Sequence, residues 1–159
     1  VKSDSLFYVA ESKEVPGEKG CYLSRSCRKG EVLESISLEQ ALPNLIYIDE
    51  FMAMSDHPLS RFCYRYAGDL LHFNTASGER LVTDYINHSK TPNLLIYMGR
   101  TYALRDISAD EELLADYRFL MHERFSMDCG TYTVKGFSAA EADREYIRAV
   151  SQLCKHAGE

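Results

Sequence analysis

The stretch Tyr85-Ile86-Asn87-His88-Ser89-Lys90-Thr91-Pro92-Asn93 constrains this chain more than any other. An apolar pair, Tyr85 and Ile86, runs straight into Asn-His-Ser, and Pro-Asn follows after two residues. Asn and Ser side chains compete with the backbone for its hydrogen bonds and stop regular structure. Pro92 holds Thr91 extended and has no N–H to offer a ladder. The end of one element must therefore turn a polar corner of fixed geometry. It then delivers the chain into residues 94–98 (LLIYM), a run of strand formers. Taken alone, the corner is equally a plain turn with a satisfied histidine.

The rest of the chain reads as short strands punctuated by turns. Residues 6–10 (LFYVA) are strand formers, and 13–20 (KEVPGEKG) are a loop with Pro16, Gly17 and Gly20. Residues 21–24 make a short strand and 27–30 a turn. Residues 31–36 alternate apolar and polar, as a half-buried strand does. Residues 61–66 alternate too, Gly68-Asp69 turns them, and 70–74 supply a hairpin partner; Ser77-Gly78 turns again. Residues 94–98 and 101–104 form a second hairpin across Gly99-Arg100. Ser37 and Gln40 form a capping box for a short helical segment that Pro43 ends. Residues 46–54 are apolar without a clear period, 79–86 are mixed, and 118–125 are polar-aromatic. Residues 127–137 read as a loop or short strands. Ser138 and Glu141 form another capping box, opening a helix to about Lys155. Its Ala142, Tyr146, Ala149, Val150 and Leu153 share one face.

Composition narrows the classes. A length of 159 residues suits one domain with one sizeable core. The net charge is -6, from 24 acidic and 18 basic side chains. That argues against a nucleic-acid binder and suits a basic partner, as well as ordinary solubility. No apolar run approaches the ~20 residues that span a bilayer, and residues 1–10 lack the features of a signal peptide. The five cysteines are odd in number, scattered and without Cys-x-x-Cys. They predict free thiols in a reducing compartment, nucleus or cytoplasm.

Residues 111–117 (EELLADY) change the reading of the corner. Together the two stretches resemble the SET domain of protein lysine methyltransferases, which pairs NHS-x-x-PN with EELxxDY across a hairpin and an Asp-Ile step. Asn87, His88, Ser89, Pro92, Asn93, Asp106-Ile107, Glu112, Leu113, Asp116 and Tyr117 stand in that order. Lys19-Gly20-Cys21-Tyr22-Leu23 and Arg28-Lys29-Gly30-Glu31-Val32-Leu33 are similar to the family's opening. The resemblance covers roughly residues 6–137. Three positions depart from the pattern: Glu18 stands at the first glycine of a GxG, Asp84 at an arginine and Asp110 at a turn glycine. The resemblance implies a mainly β fold of several small curved sheets, with a knot-like crossing of the two motifs. Residues 1–137 would be the SET domain, with a variable insert at about 37–60 and a post-SET segment at about 118–137. Residues 138–159 would be a helix packed on the same domain.

The resemblance also implies a chemistry: methyl transfer from S-adenosylmethionine to a lysine amine of a protein substrate. A basic tail such as a histone, and hence chromatin, would be one target, with no direct nucleic-acid contact and no membrane. Tyr117 would be the catalytic tyrosine. Asn87 would hold the methionine end of the cofactor, and His88 would offer mainly its backbone to the adenine. Lys19, Gly20, Cys21 and Tyr22 would meet the cofactor through a close loop, with Tyr85 and Phe125 lining the site. Tyr66, Tyr102, Ala115 and Phe119 would form the lysine channel. Plainer readings are a buried structural tyrosine for Tyr117, a turn glycine for Gly20 and core packing for Tyr85; Glu112 and Asp116 look structural. Ala115 stands where relatives often carry Phe or Tyr. That leaves room for di- or trimethylation unless Tyr66 or Tyr102 fills it. Many relatives close the site with a zinc held by cysteines. Here Lys90, Met127 and Val134 stand at ligand positions and only Cys129 remains. One thiolate cannot build a tetrahedral site, so no zinc is expected. Packing by Phe119, Phe125, Tyr132 and Phe137 would replace it. The alternative function is a SET fold without turnover that binds or scaffolds a peptide.

Overall fold

A computed structural model describes residues 5–54, 63–73 and 80–155, the Phe73 side chain apart. Residues 61, 62 and 74 of the expected hairpin, the Ser77-Gly78 turn and residues 55–60 of the insert lie outside the described residues. Strands β1 (Phe7–Glu11) and β2 (Lys19–Leu23) pair antiparallel, Phe7 opposite Leu23 and Glu11 opposite Lys19. The loop between them turns at Gly17, whose φ of +84° is one that glycine adopts without strain. Glu18, where the sequence departs from the family pattern, follows that turn and its N–H donates to Val15 O at 3.1 Å.

Strands β3 (Val32–Ser35), β7 (Asn87–His88), β8 (Leu94–Tyr97), β9 (Arg100–Ala103) and β10 (Leu114–Ala115) form a five-stranded sheet in the order β3-β9-β8-β10-β7. Met98 and Gly99 join β8 to β9 with φ of +52° and +70°, the two-residue turn that suits the twist of a hairpin. A second sheet, β4-β6-β5, carries the insert: β4 (Leu45–Tyr47), β5 (Cys63–Ala67) and β6 (Leu70–Phe73). The apolar run 46–54 divides. Ile46 pairs opposite Leu71 in β4, and the chain then coils into α2 (Ile48–Ala53). The expected capping box at Ser37 and Gln40 is present and starts α1 (Leu38–Ala41). The α-helix ends at Ala41, and Pro43 sits in a 3-10 turn over Leu42–Asn44 that leads into β4. The polar-aromatic stretch holds a short helix, α3 (Tyr117–Leu120), and a hairpin of β11 (Ser126–Asp128) and β12 (Thr133–Lys135) follows.

Helix α4 (Ala139–Lys155) begins at the expected Ser138–Glu141 box, Ser138 Oγ accepting from the Glu141 N–H. Its Ala142, Tyr146, Ala149, Val150 and Leu153 pack against Leu95, Tyr97, Tyr102 and Phe119. Tyr97 donates to Asp143 at 2.6 Å, which fixes the helix on β8. Arg65, fully buried, donates through Nη2 to the Phe137 carbonyl and ties β5 to the approach to α4. A second cluster around Leu23, Leu94, Ile107 and Leu113 joins β2 to the main sheet. No helix among the described residues is long and apolar enough to cross a membrane.

Candidate active site

The corner and residues 111–117 cross. Strand β10 lies between β7 and β8, parallel to both, and the corner 89–93 that joins β7 to β8 therefore arches over it. Backbone bonds from Ser89 N to Ala115 O (3.0 Å) and Asn93 N to Leu114 O (3.1 Å) close the arch. The Asn93 side chain, 1% exposed, completes it. Its Nδ2 donates to Glu112 O and its Oδ1 accepts from Leu114 N, both at 2.8 Å. Two buried backbone groups are thus satisfied by one amide, which explains why the corner needs asparagine after Pro92.

Glu112 anchors the loop between β1 and β2. Its Oε1 accepts from Ser12 Oγ (2.6 Å) and Asn87 Nδ2 (3.1 Å). Its Oε2 accepts from Lys13 N (2.7 Å) and Glu14 N (3.2 Å), and the Tyr22 oxygen lies 3.2 Å away. Burial pushes this carboxyl upward, but bonds from Ser12, Asn87, Lys13 and Glu14 outweigh it and leave the group below the usual range. Gly20 makes the approach possible: a Cβ there would lie 2.4 Å from Glu112 Oε1.

Tyr117 follows β10 directly and caps the crossing. Its hydroxyl donates to Ile86 O at 2.6 Å, and its N–H donates to His88 Nδ1 at 3.1 Å. Burial pushes the phenol up to about 12. Burial likewise holds the His88 ring below its ordinary value. The ring is therefore neutral at pH 7, with Nδ1 accepting and the proton on Nε2. His88 lies 5.4 Å from the Tyr117 ring and 5.9 Å from the Tyr132 ring, centroid to centroid. On the other side Tyr117 lines a cavity of about 310 Å³, with Glu34, Ile36, Tyr64, His72, Arg80 and Asp84 among its walls. A second, apolar cavity of about 330 Å³ shares Cys63, Tyr64, Leu120 and Met121 with the first.

The expected cofactor residues fall into two groups. Lys19, Gly20, Asn87 and His88 converge: Asn87 Nδ2 also donates to Lys19 O at 3.0 Å and Ser12 Oγ at 3.2 Å. The Cys21 and Tyr22 side chains of β2 are engaged elsewhere. The Cys21 side chain is fully buried in the core, its thiol pushed up to about 12 by burial, while its carbonyl accepts from Leu113 N. The Tyr22 ring stacks on Tyr8, and its hydroxyl donates to Glu11 O at 2.6 Å. Tyr85 is half-buried beside that core and carries Arg80 over its ring at 4.6 Å. Phe125 packs edge-on against Phe51 beside the insert core of Ile46, Ile48 and Leu71.

The expected channel residues do not line the cavity. Tyr66 is buried between Gly99 and His72, Tyr102 meets Tyr146 of α4 (3.2 Å between hydroxyls), and Phe119 packs on Tyr97 and Phe137. Ala115 is 1% exposed in the core. Tyr64, Glu34, Asp84 and Arg80 stand at the cavity instead. Tyr64 and Tyr66 share a strand face, so period alone could not choose between them.

The positions where relatives place metal ligands hold other contacts. Met127 and Val134 are cross-strand partners in the β11–β12 hairpin. Lys90 Nζ sits 3.7 Å from the centre of the Tyr132 ring. Among the described residues no three His, Cys, Asp or Glu side chains gather to hold a metal ion. The cysteines are free thiols.

Comparison with known proteins agrees with this geometry. Residues 18–118 match the SET domain. No curated relative matches the chain. Among solved structures, ctPRC2 in an autoinhibited conformation bound to S-adenosylmethionine aligns with TM-score 0.50 and 18% identity, over 72% of this chain and 15% of that one. A humanized mutant of the Chaetomium thermophilum Polycomb Repressive Complex 2 bound to an inhibitor aligns with TM-score 0.50 and 20% identity, over 70% of this chain and 14% of that one. At such identity these likenesses speak of the fold, and the chain spans only a small part of those proteins' length. The SET match covers more than half of the 159 residues and contains both crossing motifs: the chain belongs to the SET domain family.

Proposed function

We propose that this SET domain transfers a methyl group from S-adenosylmethionine to a lysine side chain of a protein, a basic tail such as a histone being the simplest substrate. One observation carries the reading. Tyr117 bonds through its N–H to His88, the neighbour of Asn87 on β7, and also lines a cavity of about 310 Å³. A residue that touches both suits a reaction in which a donor and an acceptor must be brought together.

The residues on the donor face fit the cofactor. Asn87 Oδ1 makes no hydrogen bond among the described residues, so it is open to accept from an ammonium. The neutral His88 ring beside Asn87 offers a flat face to an adenine. Bound there, S-adenosylmethionine supplies a methyl group on a cationic sulfur, ready for in-line displacement. Tyr117 keeps its proton, because its phenol titrates far above neutral pH. With that proton committed to Ile86 O, the oxygen lone pairs are left to accept from an amine N–H and turn the amine's own lone pair toward the methyl. Ile86, Ile96, Leu120 and Met121 desolvate the amine and favour its neutral, nucleophilic form. We also infer that the β11–β12 hairpin is held by the Lys90–Tyr132 contact and the Met127–Val134 pair rather than by zinc.

Calorimetric titration with S-adenosylmethionine tests the donor half. Binding is expected, weakened about tenfold or more in Asn87→Ala by loss of a hydrogen bond to a charged group. No heat of binding at millimolar cofactor would remove the enzyme reading and leave a peptide-binding SET fold.

A further inference from the structure

Glu34 is a charged group in the wall of the cavity beside Tyr117. It sits on β3 opposite Thr101, half-buried, and makes no hydrogen bond or ion pair among the described residues. Asp84 shares the cavity and accepts from Leu81 N at 2.7 Å, with Arg80 beside it as countercharge. Among the described residues Glu34 has no such cation. Burial and the nearby Asp84 both work against its charge, so a cation reaching it would be held. A second wall residue is also unfinished: His72, 4% exposed, has Nδ1 buried with no hydrogen-bond partner among the described residues. Space is available as well. A cavity of about 310 Å³ corresponds to roughly ten water-sized groups at ~30 Å³ each. A lysine side chain has only five non-hydrogen atoms past its Cα.

We propose that Glu34 receives a basic side chain neighbouring the target lysine, and so makes this site selective for lysines flanked by Arg or Lys. The inference rests on the reading of Tyr117 as the acceptor-side tyrosine. The target's own ammonium is the poorer occupant, because a carboxylate at its nitrogen would favour the charged form and oppose methyl transfer. Asp84, balanced by Arg80, contributes to the field but does not discriminate.

The test uses fluorescein-labelled nonapeptides of Gly and Ser with a central lysine and one Arg placed two or one residues to either side. Matched peptides carry citrulline, a neutral isostere, in place of that Arg. Anisotropy with the whole chain is expected to show one placement bound about tenfold tighter with Arg than with citrulline, as for a partly desolvated ion pair. Glu34→Gln should erase that difference, and a central norleucine should preserve it. Raising salt should shrink the preference in the unsubstituted protein, a readout that does not depend on the variant folding. Equal binding of Arg and citrulline peptides at all four placements would overturn the proposal, as would a preference that survives Glu34→Gln. A Glu34 effect that vanishes with norleucine would also overturn it, by placing the target ammonium on Glu34. Methyl transfer to the same peptides separates the two readings. Transfer without an Arg effect removes only this proposal, and an Arg effect without transfer removes only the catalytic one.

Discussion

Replacing Glu112 by Gln should loosen the loop that carries Ser12 to Lys19 without disturbing the sheet beneath it. The carboxylate accepts four hydrogen bonds, from Ser12, Lys13, Glu14 and Asn87, with the Tyr22 oxygen 3.2 Å away. A hydrogen bond to a charged acceptor is worth about 1.5–3 kcal/mol, against about 1 for a neutral one. Glutamine keeps one oxygen and sets a donor in place of the other. With the oxygen toward Lys13 and Glu14, its amide nitrogen confronts the Asn87 amide, and the surviving bonds lose their charge assistance. Summing these losses gives about 3 kcal/mol. For a chain of this size that is a fall of roughly 6–12 °C in Tm. Urea unfolding followed by circular dichroism gives the free energy, and amide exchange at Lys13 and Glu14 shows where it is lost. Protection of those two amides should drop in step with the loss of stability. A variant that loses under about 0.5 kcal/mol and keeps both amides protected would show that the loop is held elsewhere, and the latch would be wrong.

Acid should release the same latch. The folded Glu112 carboxyl lies below its unfolded value of about 4.3, so its stabilisation is fully present above that pH and is lost as pH falls through the folded value. The urea midpoint should therefore fall below about pH 4.3, with a shallower limb in Glu112→Gln. Asn93→Ala strands Leu114 N–H and Glu112 C=O in a buried site and should cost about 2–5 kcal/mol in urea unfolding; a cost under 1 would refute its role in the crossing. Lys90→Ala should cost about 0.5–1 kcal/mol, and a chelator should leave Tm unchanged. A fall in Tm on chelation would contradict a hairpin closed without metal.

The parts of this fold legible in the sequence are those set by local chemistry. Capping boxes at Ser37 and Ser138, the two hairpins and the polar corner after Ile86 each depend on a few adjacent residues. The two motifs gave the crossing through resemblance, and the arch over β10 follows from their pairing. What stayed hidden depends on packing between distant segments. Residues 46–54 divide into strand and helix because Ile46 finds Leu71 across β6, which no local period announces. The Cys21 side chain is taken up by the core and the Tyr22 hydroxyl lies on the Glu112 latch. Tyr64 and Tyr66 alternate identically, and a register shift after Arg65 together with the fit around Gly99 decides which one reaches the cavity. Glu34 read as an ordinary polar position on a half-buried strand. Only the assembled cavity shows it as a carboxylate with no cation on it among the described residues.

The central claim is that Tyr117 orients a lysine amine for methylation. Its most direct test is mass spectrometry of basic protein substrates after incubation with isotopically labelled S-adenosylmethionine, with Tyr117→Phe in parallel. Label is expected on lysine nitrogen, reduced at least about a hundredfold in Tyr117→Phe by loss of the single hydroxyl. Equal labelling by both proteins, or label on residues other than lysine, would contradict it.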